Sequence, residues 1–130
     1  MQLLADNRDD YSRQFEALLQ SDPYKSVESI IYKFRVENPI PRTRGENSIL
    51  YIGRTKLSFS GRYYPSRAFN IEMDYFDNFY KHAMKIYGPI TIEINRVEDT
   101  KYSEWKALSD YFENHLEYPP LNRSIPSQPT

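Results

Sequence analysis

The chain has no cysteine, which excludes disulfides and thiolate-ligated metal sites. It also has no apolar run near the ~20 residues that a membrane-spanning helix requires. No signal peptide is expected, because the opening MQLLADNRDD turns acidic at once. Together these absences point to a cytoplasmic protein with no membrane partner. A strong excess of positive charge is missing too: the net charge is −1, which argues against simple non-specific binding of a polyanion. At 130 residues the chain fits one domain built around one core.

What is present is unevenly placed. Residues 33 to 67 carry Lys33, Arg35, Arg42, Arg44, Arg54, Lys56, Arg62 and Arg67 against only Glu37 and Glu46. The balancing acids lie mostly in residues 5 to 28 and 72 to 117. A basic half beside an acidic half suits a phosphate-handling site with a metal carboxylate; a solvated surface with chance asymmetry would look the same. The twelve tyrosines need no functional explanation as a group, since tyrosine commonly packs its ring and leaves its hydroxyl at the surface.

Periodicity predicts the elements. Tyr11, Phe15, Leu18 and Leu19 recur at helical spacing over residues 9 to 20, and Ser21-Asp22-Pro23 stops that helix. Ile30, Tyr32, Phe34 and Val36 alternate with Lys33 and Arg35, which predicts a strand over 29 to 36. Residues 37 to 47 read as a loop, and 48 to 53 as a second strand paired antiparallel with the first across that long connection. Residues 57 to 72 look irregular. Asp74 can cap a helix carrying Phe76, Phe79, Tyr80, Ala83 and Tyr87, which Gly88-Pro89 ends. ITIEINRV suits a third strand, and Thr100 or Ser103 can cap a final helix with Trp105, Leu108, Phe112 and Leu116. The expected fold is α+β: a small, mainly antiparallel three-stranded sheet flanked by helices. Residues 1–25 form an N-terminal helical extension, 26–124 the main domain, and 125–130 a flexible tail.

Several polar groups exceed what local structure needs. Tyr32 and Tyr51 can share a face of the two paired strands, though plain cross-strand packing is the ordinary explanation of such a pair taken alone. Gly53 lies on that face as well and would leave room for a substrate backbone. Arg54, Lys56 and Arg62 follow. Glu104 shares a helical stripe with Leu108 and Tyr111; it is either a carboxylate favoured by the helix N-terminus or a ligand for a hard divalent cation. Asn122, in YPPLNR, is a turn residue or a phosphate contact. His82 and His115 have no second ligand at helical spacing and read as surface or packing residues.

The order and spacing carry more than the parts. A strand tyrosine in SIIYKF, a loop, ILYIGRTK on the next strand, an arginine about ten residues on, a glutamate opening a helix with leucine and tyrosine at plus four and plus seven, then PPLN: over residues 29 to 124 this resembles the GIY-YIG nuclease family. The first motif departs from the family pattern, with Ile30 and Ile31 before Tyr32, whereas Tyr51, Ile52 and Gly53 match the second in full. The resemblance implies a metal-dependent DNA endonuclease using one Mg²⁺ or Mn²⁺ ion. It implies catalytic roles for Tyr32, Tyr51, Arg62, Glu104 and Asn122, with Glu104 as the metal ligand, and support from Gly53, Arg54, Lys56, Tyr63 and Tyr64. Tyr32 would be the base and Tyr51 would position it or the water, a division that stays open at this point. A phenol near pKa ~10 needs cations beside it to act as a base, and Arg54, Lys56 and Arg62 are the candidates. Arg42, Arg44 and Arg67 are candidates for DNA phosphate contacts. Double-strand cutting by so small a chain calls for a homodimer or a partner protein. The alternative is a domain of the same fold without catalysis, acting as a DNA- or protein-binding module.

Overall fold

The structure is a computed structural model that describes residues 1–64, 66–123 and 126–129. It is an α+β fold with an antiparallel four-stranded sheet. The elements run β1 (Gln2–Leu3), α1 (Arg8–Leu19), β2 (Glu28–Pro41), β3 (Glu46–Ser58), α2 (Phe59–Tyr63), α3 (Ser66–Tyr75), a π-helical turn (Phe76–Tyr80), α4 (Lys81–Tyr87), β4 (Ile90–Arg96) and α5 (Thr100–His115). The sheet order is β1-β4-β2-β3, so β2 is central and β3 forms an edge. The expected sheet of three strands gains a fourth because Leu3 pairs with Ile90. A two-residue strand is too short to display any period.

Three boundaries differ from expectation. Most of the supposed loop at 37 to 47 is strand, and only Arg42 to Gly45 turn the hairpin. Asn38, Pro39 and Pro41 argue against a strand locally, but the ladder breaks between Arg35 and Ile40, where Pro39 needs no N–H to donate. Gly45 closes the turn at φ 69°, in the left-handed region, and its carbonyl accepts the Arg42 N–H. After the strand residues Leu57 and Ser58, the expected irregular segment is helical at Phe59–Tyr63 and again from Ser66: Ser58 caps α2 by accepting from the Gly61 N–H at 3.0 Å, and α3 runs through the π-helical turn into α4. Asp74 therefore lies inside a helix rather than capping one, and it accepts from Arg8 at 3.2 Å. The cap of α5 is Asp99, which accepts from Tyr102 N–H at 3.0 Å, not Thr100 or Ser103.

The sheet divides two cores. Helices α1 to α4 cover one face, where Tyr11, Phe15, Tyr32, Phe34, Phe59 and Phe76 are fully buried. Helix α5 covers the other, packing Leu108 and Tyr111 on Ile31, Ile49 and Ile52. Residues set apart as an N-terminal extension supply Leu3, Tyr11, Phe15 and Leu18 to the larger core. Of the expected tail, Ile125 and Thr130 lie outside the described residues, as do Pro65 and Ser124. Among the described residues no helix is long and apolar enough to cross a membrane.

Candidate functional site

The β2–β3 register sets Tyr32 opposite Gly53 and Phe34 opposite Tyr51. Partners across a ladder share a face, so both tyrosines point toward the helical layer, with ring centroids 6.2 Å apart. Helix α2 brings Arg62 and Tyr63 to the same place, and α3 brings Arg67, Glu72 and Tyr75. These side chains line one cleft of about 410 Å³, closed behind by Tyr80. Arg62 and Arg67 are exposed, Tyr51 is partly exposed, and Tyr32, Tyr63 and Glu72 are buried.

Glu104 stands in an adjoining depression of about 390 Å³ that shares Tyr51, Tyr75 and Leu121 with the cleft. Tyr51, Tyr75 and Leu121 thus border both. The Glu104 side chain is 17% exposed, and Arg54 Nε lies 3.4 Å from its carboxylate. Burial raises its pKa above the ordinary carboxylate value, and Arg54 acts against that rise.

Gly53 has a different role from the one anticipated. A Cβ there would stand 2.4 Å from Tyr32 Cζ and 2.6 Å from its hydroxyl. The space is filled by the Tyr32 ring, leaving no clearance for a substrate backbone at that point.

The cationic field is also weaker than the sequence implied. Burial pushes the Tyr32 hydroxyl well up, the neighbouring Tyr51 adds to this, and Arg62 with the Tyr63 hydroxyl only partly offsets it. Tyr51 is likewise raised by burial and then by Glu104, with Arg62 again opposing. Arg54 is turned to Glu104, and Lys56 lines a separate depression with Ser29, Glu98 and Asp99. Of the three expected cations, only Arg62 acts on both tyrosines. Of the two tyrosines after it, Tyr63 lines the cleft, whereas Tyr64 is 68% exposed beside Glu16 and Gln20.

Two of the three proposed phosphate-contact arginines are occupied within the chain. Arg42 donates to Glu117 at 2.8 Å and to the Tyr118 carbonyl at 2.6 Å, with its side chain 10% exposed. Arg44 donates to the Asn114 carbonyl at 3.0 Å and to the Glu113 carbonyl, holding the end of α5. Arg67 alone of the three reaches the cleft. Asn122 spends both ends of its amide on the β3 edge: Oδ1 accepts from the Ile52 N–H and Nδ2 donates to the Ile52 carbonyl, each at 2.9 Å. It fixes the strand that carries Tyr51 and lines the Glu104 depression rather than the cleft.

Glu72 is the residue that sequence reasoning missed. It is 2% exposed, and its Oε1 finds no hydrogen-bond partner among the described residues. Burial raises it well above the carboxylate range, against the pull of Arg62. The signal was available: Glu72 falls in the stripe of Phe69, Phe76 and Tyr80, but only for a helix begun near 66 rather than at Asp74.

Among the described residues no group of three or more His, Asp or Glu side chains is disposed to hold a metal by itself. Compared with family models, with curated proteins and with solved structures, the chain finds no match.

Proposed function

We propose that this cleft is the site of a GIY-YIG-like endonuclease that hydrolyses DNA phosphodiester bonds with one divalent metal ion. The observation that supports the reading is that Tyr32, Tyr51 and Arg62 line one cleft whose Tyr51 wall is shared with the depression holding Glu104. Phosphodiester hydrolysis needs an oriented water and positive charge where the phosphorane develops. The exposed Arg62 guanidinium takes a non-bridging phosphate oxygen through charge-assisted hydrogen bonds. Tyr51 is the tyrosine that reaches solvent, so it orients the attacking water, with Tyr32 packed behind it. Both hydroxyls keep their protons at neutral pH, because burial raises their pKa. In this state Tyr51 holds a water in place and does not deprotonate it.

The donor set fits a hard cation that retains most of its waters. Mg²⁺ and Mn²⁺ sites of this kind use one or two carboxylates plus substrate phosphate, and Glu104, now paired with Arg54, would be that one carboxylate. Such an ion supplies Lewis acidity at phosphate and a more acidic bound water.

The test is incubation with plasmid and with single-stranded DNA, in magnesium, manganese or chelator. Metal-dependent cleavage is expected, abolished by Glu104→Ala and lowered about 10²–10³-fold by Arg62→Ala. No cleavage by the wild type, or equal cleavage by Glu104→Ala, overturns the hydrolytic reading. A second reading, a DNA-binding module without catalysis, is favoured by the buried Tyr32 and the Arg54–Glu104 pair. Its signature is metal-independent binding with no cut product.

A further inference from the structure

The proposed hydrolysis uses only the mouth of the cleft. Behind Arg62 and Arg67 the cavity continues to Glu72, and its volume of about 410 Å³ is of the size that small-molecule sites have. The walls are aromatic and apolar: Tyr32, Tyr63, Tyr75, Tyr80 and Ile71. The one carboxyl in this lining is Glu72, buried to 2%, with Oε1 unpartnered. A buried polar group without a partner costs stability. A ligand edge with matching donors and acceptors would remove that cost.

We propose that this inner cavity receives an unstacked nucleobase of single-stranded DNA, flanked by its aromatic walls and hydrogen-bonded at its edge to the Glu72 carboxyl. Aromatic rings accept any base, because every base has a π-face. The two exposed arginines at the mouth lie where the phosphates on either side of the inserted nucleotide must pass. The carboxyl completes the match. A neutral acid offers one donor and one acceptor side by side, and each of the four bases carries a complementary pair on its Watson–Crick edge. Burial favours that neutral form, against the pull of Arg62. The cavity therefore admits a base without selecting which one, and the substrate is a strand already unpaired or one that can be opened locally. The inference rests on the preceding reading in one respect only: nucleic acid must occupy the cleft. It does not require hydrolysis.

The experiment is a fluorescence-anisotropy titration of the wild-type protein, in chelator, with two labelled probes. One is a short single-stranded DNA; the other is an abasic deoxyribose-phosphate strand of the same length and charge. The base-bearing strand should bind about tenfold more tightly or better. Glu72→Leu should bring it down to the affinity of the abasic strand, and Glu72→Gln, which keeps a donor and an acceptor, should retain the preference. Equal binding of the two probes by the wild type, or no binding of either, overturns the proposal without recourse to any variant. A full preference in Glu72→Leu overturns the role of the carboxyl. The cleavage assay separates the two readings. A plasmid cut in metal without a base preference leaves hydrolysis standing and removes the cavity. A base preference without cutting does the reverse.

Discussion

Replacing Gly53 by alanine separates two accounts of why no side chain stands there. If the glycine merely gives the chain freedom, alanine should stabilise the protein by about 0.4–1 kcal/mol, because it restricts the unfolded chain. Its backbone is not among the glycines at positive φ, so alanine meets no conformational barrier. The contacts predict the opposite. The new Cβ would lie 2.4 Å from Tyr32 Cζ and 2.6 Å from Cε2 and the hydroxyl. Non-bonded carbons settle at about 3.5–4.0 Å, so the ring must retreat by more than about 1 Å. It has little room: Phe59 lies at a centroid distance of 5.1 Å, and Tyr51, Phe34 and Tyr63 at 6.2 to 6.3 Å. Overpacking of this kind costs about 1–3 kcal/mol. Urea unfolding measures it. A double-mutant cycle with Tyr32→Ala, itself costing about 3–5 kcal/mol through the cavity it leaves, isolates the contact: in that background Gly53→Ala should cost nothing. Stabilisation by the single change, or simple addition of the two costs, would refute the ring contact.

Other outcomes follow from single groups. Because the folded pKa of Glu72 is raised, the stability it contributes is complete below the ordinary value near 4.5 and is lost as pH rises toward the folded one. The unfolding free energy from urea titration should fall over that window, by up to about 1.4 kcal/mol per pH unit, relative to Glu72→Gln; parallel curves would remove the argument. Asn122→Ala removes both bonds to Ile52 and should cost about 1–3 kcal/mol in the same assay. Glu117 is held below the usual carboxylate range by the Thr43 hydroxyl and N–H, so its hold on the hairpin tip is present above that range and lost as pH falls through the lowered value. Amide exchange at Thr43 should show this acid loosening in the wild type and not in Glu117→Gln.

The residues expected to carry the chemistry were legible to different degrees. The face of Tyr32 followed from alternation, since a period of two assigns side chains to a face, whereas Tyr51 joined it only through the pairing of the two strands. The helical stripe of Leu108 and Tyr111 likewise placed Glu104 near a core. The use of each cation was not legible. Arg35 meets Glu93 at 2.6 Å, Arg42 meets Glu117 and Arg54 meets Glu104, so three cations of the basic segment are paired with carboxylates more than forty residues away. The same holds for Gly53, whose missing side chain is answered by a ring on the neighbouring strand.

By itself, then, the sequence determined the α+β class, three of the four strands and the faces of their tyrosines. All of these are set by periods that repeat within a few residues. Packing between distant elements decided the rest: a fourth strand of two residues, the burial of Glu72 in a cleft lined by five tyrosines and two arginines, the closure of the β3 edge by Asn122, and which of the arginines face the cleft. A period reports which way a side chain points, but exposure, pKa and charge pairing depend on what another part of the chain places opposite it.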